Sequence, residues 1–294
     1  MTEHIIIYGA GAIGSLFGGL LAAKYPVTLI GRKYHVTAIK EKGLVLSGVV
    51  KKRIATNLSA DTKVRRIPEK TLLLLTVKAH ETKKAIRQLQ KLLHDDTTIL
   101  CIQNGLGSED IVKRYTSSKV LRAITHIGAE WEGPGKIRIN SLNKTYIEKD
   151  GEEIATLFSD AGLPTVVPED FRKHLWEKLI INCVLNGLGT ILGVRNNKLV
   201  SASLDPVKKQ IVTECIAVAA KEGVKVDPNI LKAIDGFLPK SVNMNSTLQD
   251  LQRHKRTEID FLNGAVVRLG KKYHVPTPVN EAVCSIIHFL EEKR

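Results

Sequence analysis

The run Gly9-Ala10-Gly11-Ala12-Ile13-Gly14 constrains this chain more than any other stretch. It follows His4-Ile5-Ile6-Ile7-Tyr8, an apolar run with the character of a buried parallel strand. Residues 15–24 come next and read as a helix with small residues on its packed face. A glycine-rich turn alone says little. Between a strand and a helix it has the form of the phosphate-binding turn of a dinucleotide fold. In that setting Gly9 makes the tight turn, Gly11 lets the backbone approach a pyrophosphate, and Gly14 brings the helix close to the sheet. The free N–H groups of the helix start carry partial positive charge and would hold the phosphates, with Ala10, Ala12 and Ile13 completing the turn. The competing reading is an ordinary strand-to-helix turn.

A second strand, Val27-Thr28-Leu29-Ile30, ends at Gly31-Arg32-Lys33. In dinucleotide folds the residue at this point meets the adenosine ribose: a carboxylate there accepts from both hydroxyls, whereas an arginine accommodates a 2′-phosphate. No carboxylate follows this strand, and Arg32 does. A charge-assisted bond from guanidinium to phosphate contributes about 1.5–3 kcal/mol, enough to favour NADPH over NADH. Two further apolar strands, at residues 72–77 and 98–102, run into Lys78 and into Gln103-Asn104-Gly105. Lys78 and Asn104 therefore stand at the carboxyl edge, where open α/β sheets bind ligands. Short strands are expected at 44–46 and 53–55. Trp131 suits packing as well as it suits a cofactor contact.

After Pro168 the pattern turns helical, which predicts an α/β domain over 1–168 and an all-helical domain over 169–294. Helices are expected at 169–188, 205–223, 228–238 and 280–292, and residues 246–273 read as one long helix or a broken one. In the first of these, Lys178, Asn182 and Asn186 recur every four residues and share one stripe. The flanking Leu179, Ile180, Ile181, Val184 and Leu185 require the helix to be mostly buried. A buried amide without a partner costs roughly 1–3 kcal/mol, so a polar stripe here suits a ligand-binding cleft better than a solvent face.

The net charge of +14 invites a nucleic-acid reading. The excess is shared by both halves, however, and Lys51-Lys52-Arg53 and Arg253-His254-Lys255-Arg256 have no interleaved aromatics for base stacking. A basic surface suited to anionic small molecules is the better expectation. There is no apolar run long enough for a membrane span and no secretory signal pattern, and the four widely spaced cysteines suit reduced core residues; a cytoplasmic protein is expected.

Taken together, the glycine turn, Ile30-Gly31-Arg32, Thr76-Val77-Lys78, Gln103-Asn104-Gly105 and the helix Trp176-Glu177-Lys178…Asn182-Cys183…Asn186 resemble the ketopantoate reductase family, as does Ser246-Thr247-Leu248-Gln249-Asp250…Arg256-Thr257-Glu258-Ile259-Asp260. The resemblance spans essentially the whole chain with the motifs in order. It implies a Rossmann-type dinucleotide-binding domain followed by a helical substrate domain, and NADPH-dependent reduction of 2-dehydropantoate to pantoate on the way to pantothenate and coenzyme A. It further implies Lys178 as general acid and Glu258 as the carboxylate that orients the lysine or the substrate, with Glu258 also near the cofactor. Asn182, Asn186, Asn196, Asn243 and Ser246 would bind substrate, while Lys78 and Asn104 would contact the nicotinamide end of the cofactor and help to place the substrate. One departure is Gly187, where relatives carry proline. No metal is implied, the partner is a small molecule, and a homodimer is the oligomer considered. Two alternatives stand beside this reading: a reductase of another branched 2-oxo acid, and a non-catalytic NADPH sensor. A sensor has no need of a proton donor such as Lys178.

Overall fold

The computed structural model describes residues 2–293, which form two compact units. The first comprises the chain up to Gln103 together with Ser108–Phe171, and the second comprises Asn104–Gly107 together with the chain from Arg172 onward.

The first unit opens with β1 (His4–Tyr8), α1 (Ala12–Leu21), β2 (Val27–Ile30) and α2 (Lys33–Lys42). It continues through β3 (Leu44–Gly48), β4 (Lys52–Ile54), β5 (Leu58–Asp61), β6 (Thr71–Leu75), α3 (Thr82–Leu89) and β7 (Thr98–Cys101). Next come α4 (Ser108–Lys113), β8 (Lys119–Thr125), β9 (Gly128–Gly133), β10 (Lys136–Ser141), β11 (Thr145–Ile147), α5 (Glu152–Asp160) and β12 (Thr165–Val166). The main sheet has the order β12-β11-β8-β7-β6-β1-β2-β5, and every pair from β8 to β5 is parallel. Helices cover such a sheet on both faces, so its central strands are apolar throughout. Leu72, Leu73, Leu74 and Leu75 have no exposed surface. This is the Rossmann-type arrangement, and it places the ends of β1, β2 and β6 along one edge.

The remaining strands build a second sheet, β4-β3-β10-β9. Helix α1 lies between the two sheets, touching β1 and β2 on one side and β3, β9 and β10 on the other. A helix covered on two sides must be apolar all round. From Ala12 to Leu21 it carries no charged side chain and a single polar one, Ser15. Leu16, Phe17, Leu20 and Leu21 are buried along it, each contributing roughly 1.5–3 kcal/mol, and Phe17 meets Phe158 of α5 edge to face at 5.3 Å.

The second unit holds α6 (Phe171–Ile191) from its second residue onward, α7 (Asp205–Lys221), α8 (Ile230–Phe237), α9 (Ser246–Gln252), α10 (Asn263–Tyr273) and α11 (Pro278–Glu292), with no strand among its described residues. Its core joins Leu179, Ile180 and Val184 of α6 to Ile211 and Val218 of α7, Val266 of α10 and Ile287 of α11. The buried Glu214 of α7 caps the start of α11, accepting from the backbone N–H groups of Val279 and Asn280 at 3.0 Å each. A buried carboxylate is tolerable only with such partners. The stretch 246–273 is divided: α9 ends near His254, whose φ of +52° leaves the helical range, and a 3-10 turn at Ile259–Phe261 precedes α10.

Candidate active site

The glycine turn is built against the ends of β2 and β6. The N–H groups of Gly9 and Ala10 both donate to the Ile30 carbonyl, at 3.1 and 2.8 Å, and the Thr76 hydroxyl donates to the Gly9 carbonyl at 2.8 Å. Gly9 has a φ of +118°, and a Cβ there would run into the Thr76-Val77 peptide. Gly14 packs directly on the Gly9 carbonyl. Gly11 differs: it is exposed, and a Cβ on it would meet only the Gly9 carbonyl, at an ordinary contact distance of 4.0 Å. The start of α1 has no side-chain cap and no acidic residue in its first turn; the Gly11 N–H donates to the Gly9 carbonyl at 2.6 Å, and no first-turn carboxylate competes for the N–H groups of Ala12 and Ile13. That geometry fits a bound pyrophosphate.

Arg32 occupies the N-cap position of α2, exposed, with Lys33 exposed beside it. Asp61, to which no motif in the sequence points, ends the neighbouring strand and stands opposite Ile30 in register. Its carboxylate is engaged by the Thr62 N–H at 2.6 Å and by Arg65 at 3.6 Å. The Thr62 N–H, more than Arg65, holds the carboxyl below its ordinary range. Lys78 is half-buried and precedes the 3-10 turn Ala79–Glu81. Trp131 meets Tyr34 edge to face at 6.1 Å, which is a packing contact.

In the second unit, α6 presents Lys178 and Asn182 half-buried and Asn186 buried. The Lys178 Nζ donates to Asn104 Oδ1 at 3.1 Å. Asn104 is held in place through its two C-terminal neighbours, Gly105 and Leu106. Gly105, buried with a φ of +81°, lies against the Phe261 carbonyl so closely that no Cβ would fit. The Leu106 N–H donates to that same carbonyl at 3.0 Å, and the Phe261 N–H donates to the Glu258 carbonyl at 2.9 Å. Lys178, Asn104 and the turn bearing Glu258 are thereby assembled together.

Glu258 is 4% exposed. The second carboxylate of its motif, Asp260, is committed elsewhere, bonded to Arg256 at 2.8 Å and His288 at 2.9 Å. Burial acts against its ionisation, but Arg256 and His288 together hold the Asp260 carboxyl below the usual range.

Further along α6, Asn186 Nδ2 donates to Ser246 Oγ at 3.4 Å. Among the described residues Asn182 has no side-chain hydrogen-bond partner, which leaves a half-buried amide able to receive a ligand. Asn196 and Asn243 are joined through the backbone, Asn196 N–H to Asn243 carbonyl at 3.1 Å. Asn196 is buried and donates to Ser241 Oγ at 3.1 Å, whereas the Asn243 side chain is exposed. Sequence reasoning missed Asn245, whose Oδ1 accepts from the Leu248 N–H at 2.9 Å and from Thr190 Oγ1 at 3.1 Å. It caps α9 and ties Ser246 to α6; an asparagine immediately before a short helix was the available signal.

A Rossmann-type unit combined with a helical unit that gathers a lysine, a buried glutamate and several amides defines a class, the two-domain oxidoreductases of this architecture. The chain belongs to the ketopantoate reductase family: residues 5–151 match the model for ketopantoate reductase PanE/ApbA, and residues 170–291 match that for its C-terminal domain. It is 36% identical over 295 residues to the 2-dehydropantoate 2-reductase of Pyrococcus abyssi, covering 96% of each chain. Against the Lactococcus lactis 2-dehydropantoate 2-reductase the identity is 34%, covering 98% of each. Among solved structures, a PanE/ApbA family ketopantoate reductase from Ralstonia eutropha JMP134 superposes with a TM-score of 0.92 at 33% identity over 99% of both chains. D-mandelate dehydrogenase with NADH and anilino(oxo)acetate superposes at 0.91, with 31% identity over 99% of both chains. No helix among the described residues is long and apolar enough to cross a membrane.

Proposed function

We propose that this chain reduces 2-dehydropantoate to pantoate with NADPH, in the cytoplasm and toward pantothenate and coenzyme A. The observation that carries the reading is the hydrogen bond from Lys178 to Asn104. Donating to Asn104 Oδ1 gives the ammonium a held direction, and a substrate carbonyl oxygen would lie within its hydrogen-bond reach. A reduced nicotinamide, when bound, would supply a hydride to the carbonyl carbon. Lys178 would give a proton to the carbonyl oxygen, so that the product carries a hydroxyl, and the neutral amine would regain its proton from solvent. Glu258 orients the lysine or the substrate hydroxyl.

The remaining groups hold the acid. Ser246 Oγ accepts from Asn186, which leaves its hydroxyl proton to donate to a substrate carboxylate. Asn182 binds a substrate hydroxyl, Asn196 and Asn243 line the far end of the substrate site, and Lys78 meets the cofactor. The phosphates lie on the turn from Gly9 to Gly14, with Arg32 on the 2′-phosphate.

The similarity to D-mandelate dehydrogenase with NADH favours one second reading, reduction of a different branched or aryl 2-oxo acid with NADH. A substrate profile separates the two. NADPH and NADH oxidation is followed with 2-dehydropantoate and with simple, branched and aryl 2-oxo acids. A kcat/KM highest for 2-dehydropantoate with NADPH supports the first reading, and a higher value for an aryl acid with NADH replaces it with the second. No turnover of any acid leaves a non-catalytic nucleotide sensor.

A further inference from the structure

Resting on the reading that the first unit binds a nicotinamide dinucleotide, we infer that His35 is a positioning residue for the cofactor, its ring fixing Arg32 against the pyrophosphate turn. His35 lies in the first turn of α2, just past Arg32, and is 2% exposed. Its two ring nitrogens have different partners: Nδ1 meets the backbone N–H of Gly135 at 3.0 Å, and Nε2 meets Ser15 Oγ at 2.9 Å. A backbone N–H can only donate, so Nδ1 is the unprotonated acceptor and Nε2 carries the hydrogen given to Ser15. The cationic ring could not accept from Gly135. Burial pushes the imidazole pKa down, in keeping with the neutral form.

Ser15 is the only polar side chain of α1 and has no exposed surface. A hydroxyl so placed costs roughly 1–3 kcal/mol if left unpaired, and His35 is the side chain that satisfies it. The same two residues reach both ends of the cofactor site through their backbones. The Ser15 N–H donates to the Gly11 carbonyl at 2.9 Å, and the His35 N–H donates to the Arg32 carbonyl at 3.0 Å. A continuous set of hydrogen bonds therefore runs from Gly11 through Ser15 and His35 to Arg32. Gly135 secures the third side, since its carbonyl accepts from the Val45 N–H at 2.8 Å and its N–H holds the ring.

The pyrophosphate and the 2′-phosphate of one dinucleotide are joined through a single ribose, so the span between them is bounded. A site that must grip both gains from having its two grips set within that span before binding. NADPH uses both; NADH uses the pyrophosphate turn but offers Arg32 no phosphate. Loosening the Ser15–His35 bond should therefore weaken NADPH and spare NADH.

Two substitutions remove that bond and keep the Gly135 contact: Ser15→Ala, and His35→Asn, whose amide oxygen can stand where Nδ1 stood. Dissociation constants for NADPH and NADH are measured by calorimetry on the wild type, on each variant, on Arg32→Ala, and on the double variants. The expected result is a rise of five-fold or more in the NADPH constant for both variants and less than two-fold for NADH. The KM for NADPH rises in parallel, with kcat at saturating NADPH falling less than two-fold. In the Arg32→Ala background the same substitutions add no further loss of NADPH affinity. Equal weakening of both cofactors, or full additivity with Arg32→Ala, makes His35 a structural residue and overturns the inference. An unchanged NADPH constant in both variants overturns it also. A wild type that binds neither nucleotide overturns the underlying dinucleotide reading, and is told apart by that control alone.

Discussion

Lys178 and Asn104 are 74 residues apart in sequence, and their side chains meet at 3.1 Å. The contact gives the lysine a fixed direction, which is what a proton donor requires, since a general acid must lie within hydrogen-bond reach of the atom it protonates. Lys178→Ala should lower kcat by about 10²–10⁴-fold, the usual worth of a positioned acid. Its effect on the dissociation constant for NADPH should be less than two-fold, because the residues proposed to hold the phosphates lie elsewhere in the chain. Stopped-flow reduction and cofactor titration on the same preparation separate the two quantities, and an unchanged kcat removes Lys178 from the chemistry.

Gly105 provides a sharper test of the same arrangement because it touches no proposed substrate group. Its positive φ and its closeness to the Phe261 carbonyl mean that Gly105→Ala must displace the segment carrying Asn104. The expected outcome is a loss of ten-fold or more in kcat, with a modest fall in Tm, since Asn104–Gly107 is a small part of its unit. Crystals of the variant should show Asn104 Oδ1 out of reach of the Lys178 amine. Wild-type kcat in this variant would mean that the hydrogen bond is dispensable.

These two positions also mark what the sequence could and could not reveal. The stripe of Lys178, Asn182 and Asn186 was legible because helical spacing is local, and the glycine turn was legible because it lies within one strand-turn-helix unit. The pairing of Lys178 with Asn104 was not, since neither spacing nor composition carries a contact between distant segments. Helix α2 went unseen because only His35, Val36 and Ile39 of its ten residues are buried, too weak a face for periodicity to expose. Strand β9, Gly-Ala-Glu-Trp-Glu-Gly, is half-buried along most of its length and lacks the alternation that marks a strand. Asp61 carries no local signal either: it reaches the carboxyl edge of the sheet by pairing beside β2 and does not follow that strand in sequence.

Arg32 decides the cofactor in this reading, and the decision has a magnitude. A guanidinium-phosphate bond contributes about 1.5–3 kcal/mol, so Arg32→Ala should raise the KM for NADPH roughly 10- to 150-fold. NADH makes no such bond, and its KM should move by less than two-fold. Asp61 is already engaged by Thr62 and Arg65, so the variant should not become a good NADH enzyme without further change. Steady-state kinetics with both nucleotides at saturating 2-oxo acid measure the ratio. Equal effects on the two would mean that Arg32 does not meet the 2′-phosphate.

The four cysteines, all buried and unbridged, predict the behaviour of the chain at high pH. Burial pushes the Cys101 thiol up to about 12, with a small opposing pull from Arg122, and burial raises Cys284 to about 12 as well. In an unfolded chain a thiol ionises near 8.5. Because the folded values are the higher ones, these thiols contribute stability that is fully present below about 8.5 and is lost as pH rises toward 12. The Tm of the wild type should therefore fall between pH 8.5 and 11, and the fall should be shallower in Cys101→Ala and Cys284→Ala than in the wild type, whatever each substitution does to Tm at neutral pH. The same burial makes the thiolate scarce and inaccessible, so at pH 8 a disulfide reagent should label the native chain slowly and all four thiols promptly in denaturant. Rapid labelling of Cys101 in the native state would show that its strand opens on the timescale of the reagent, and a parallel Tm profile in the alanine variants would show that the thiols do not titrate with unfolding.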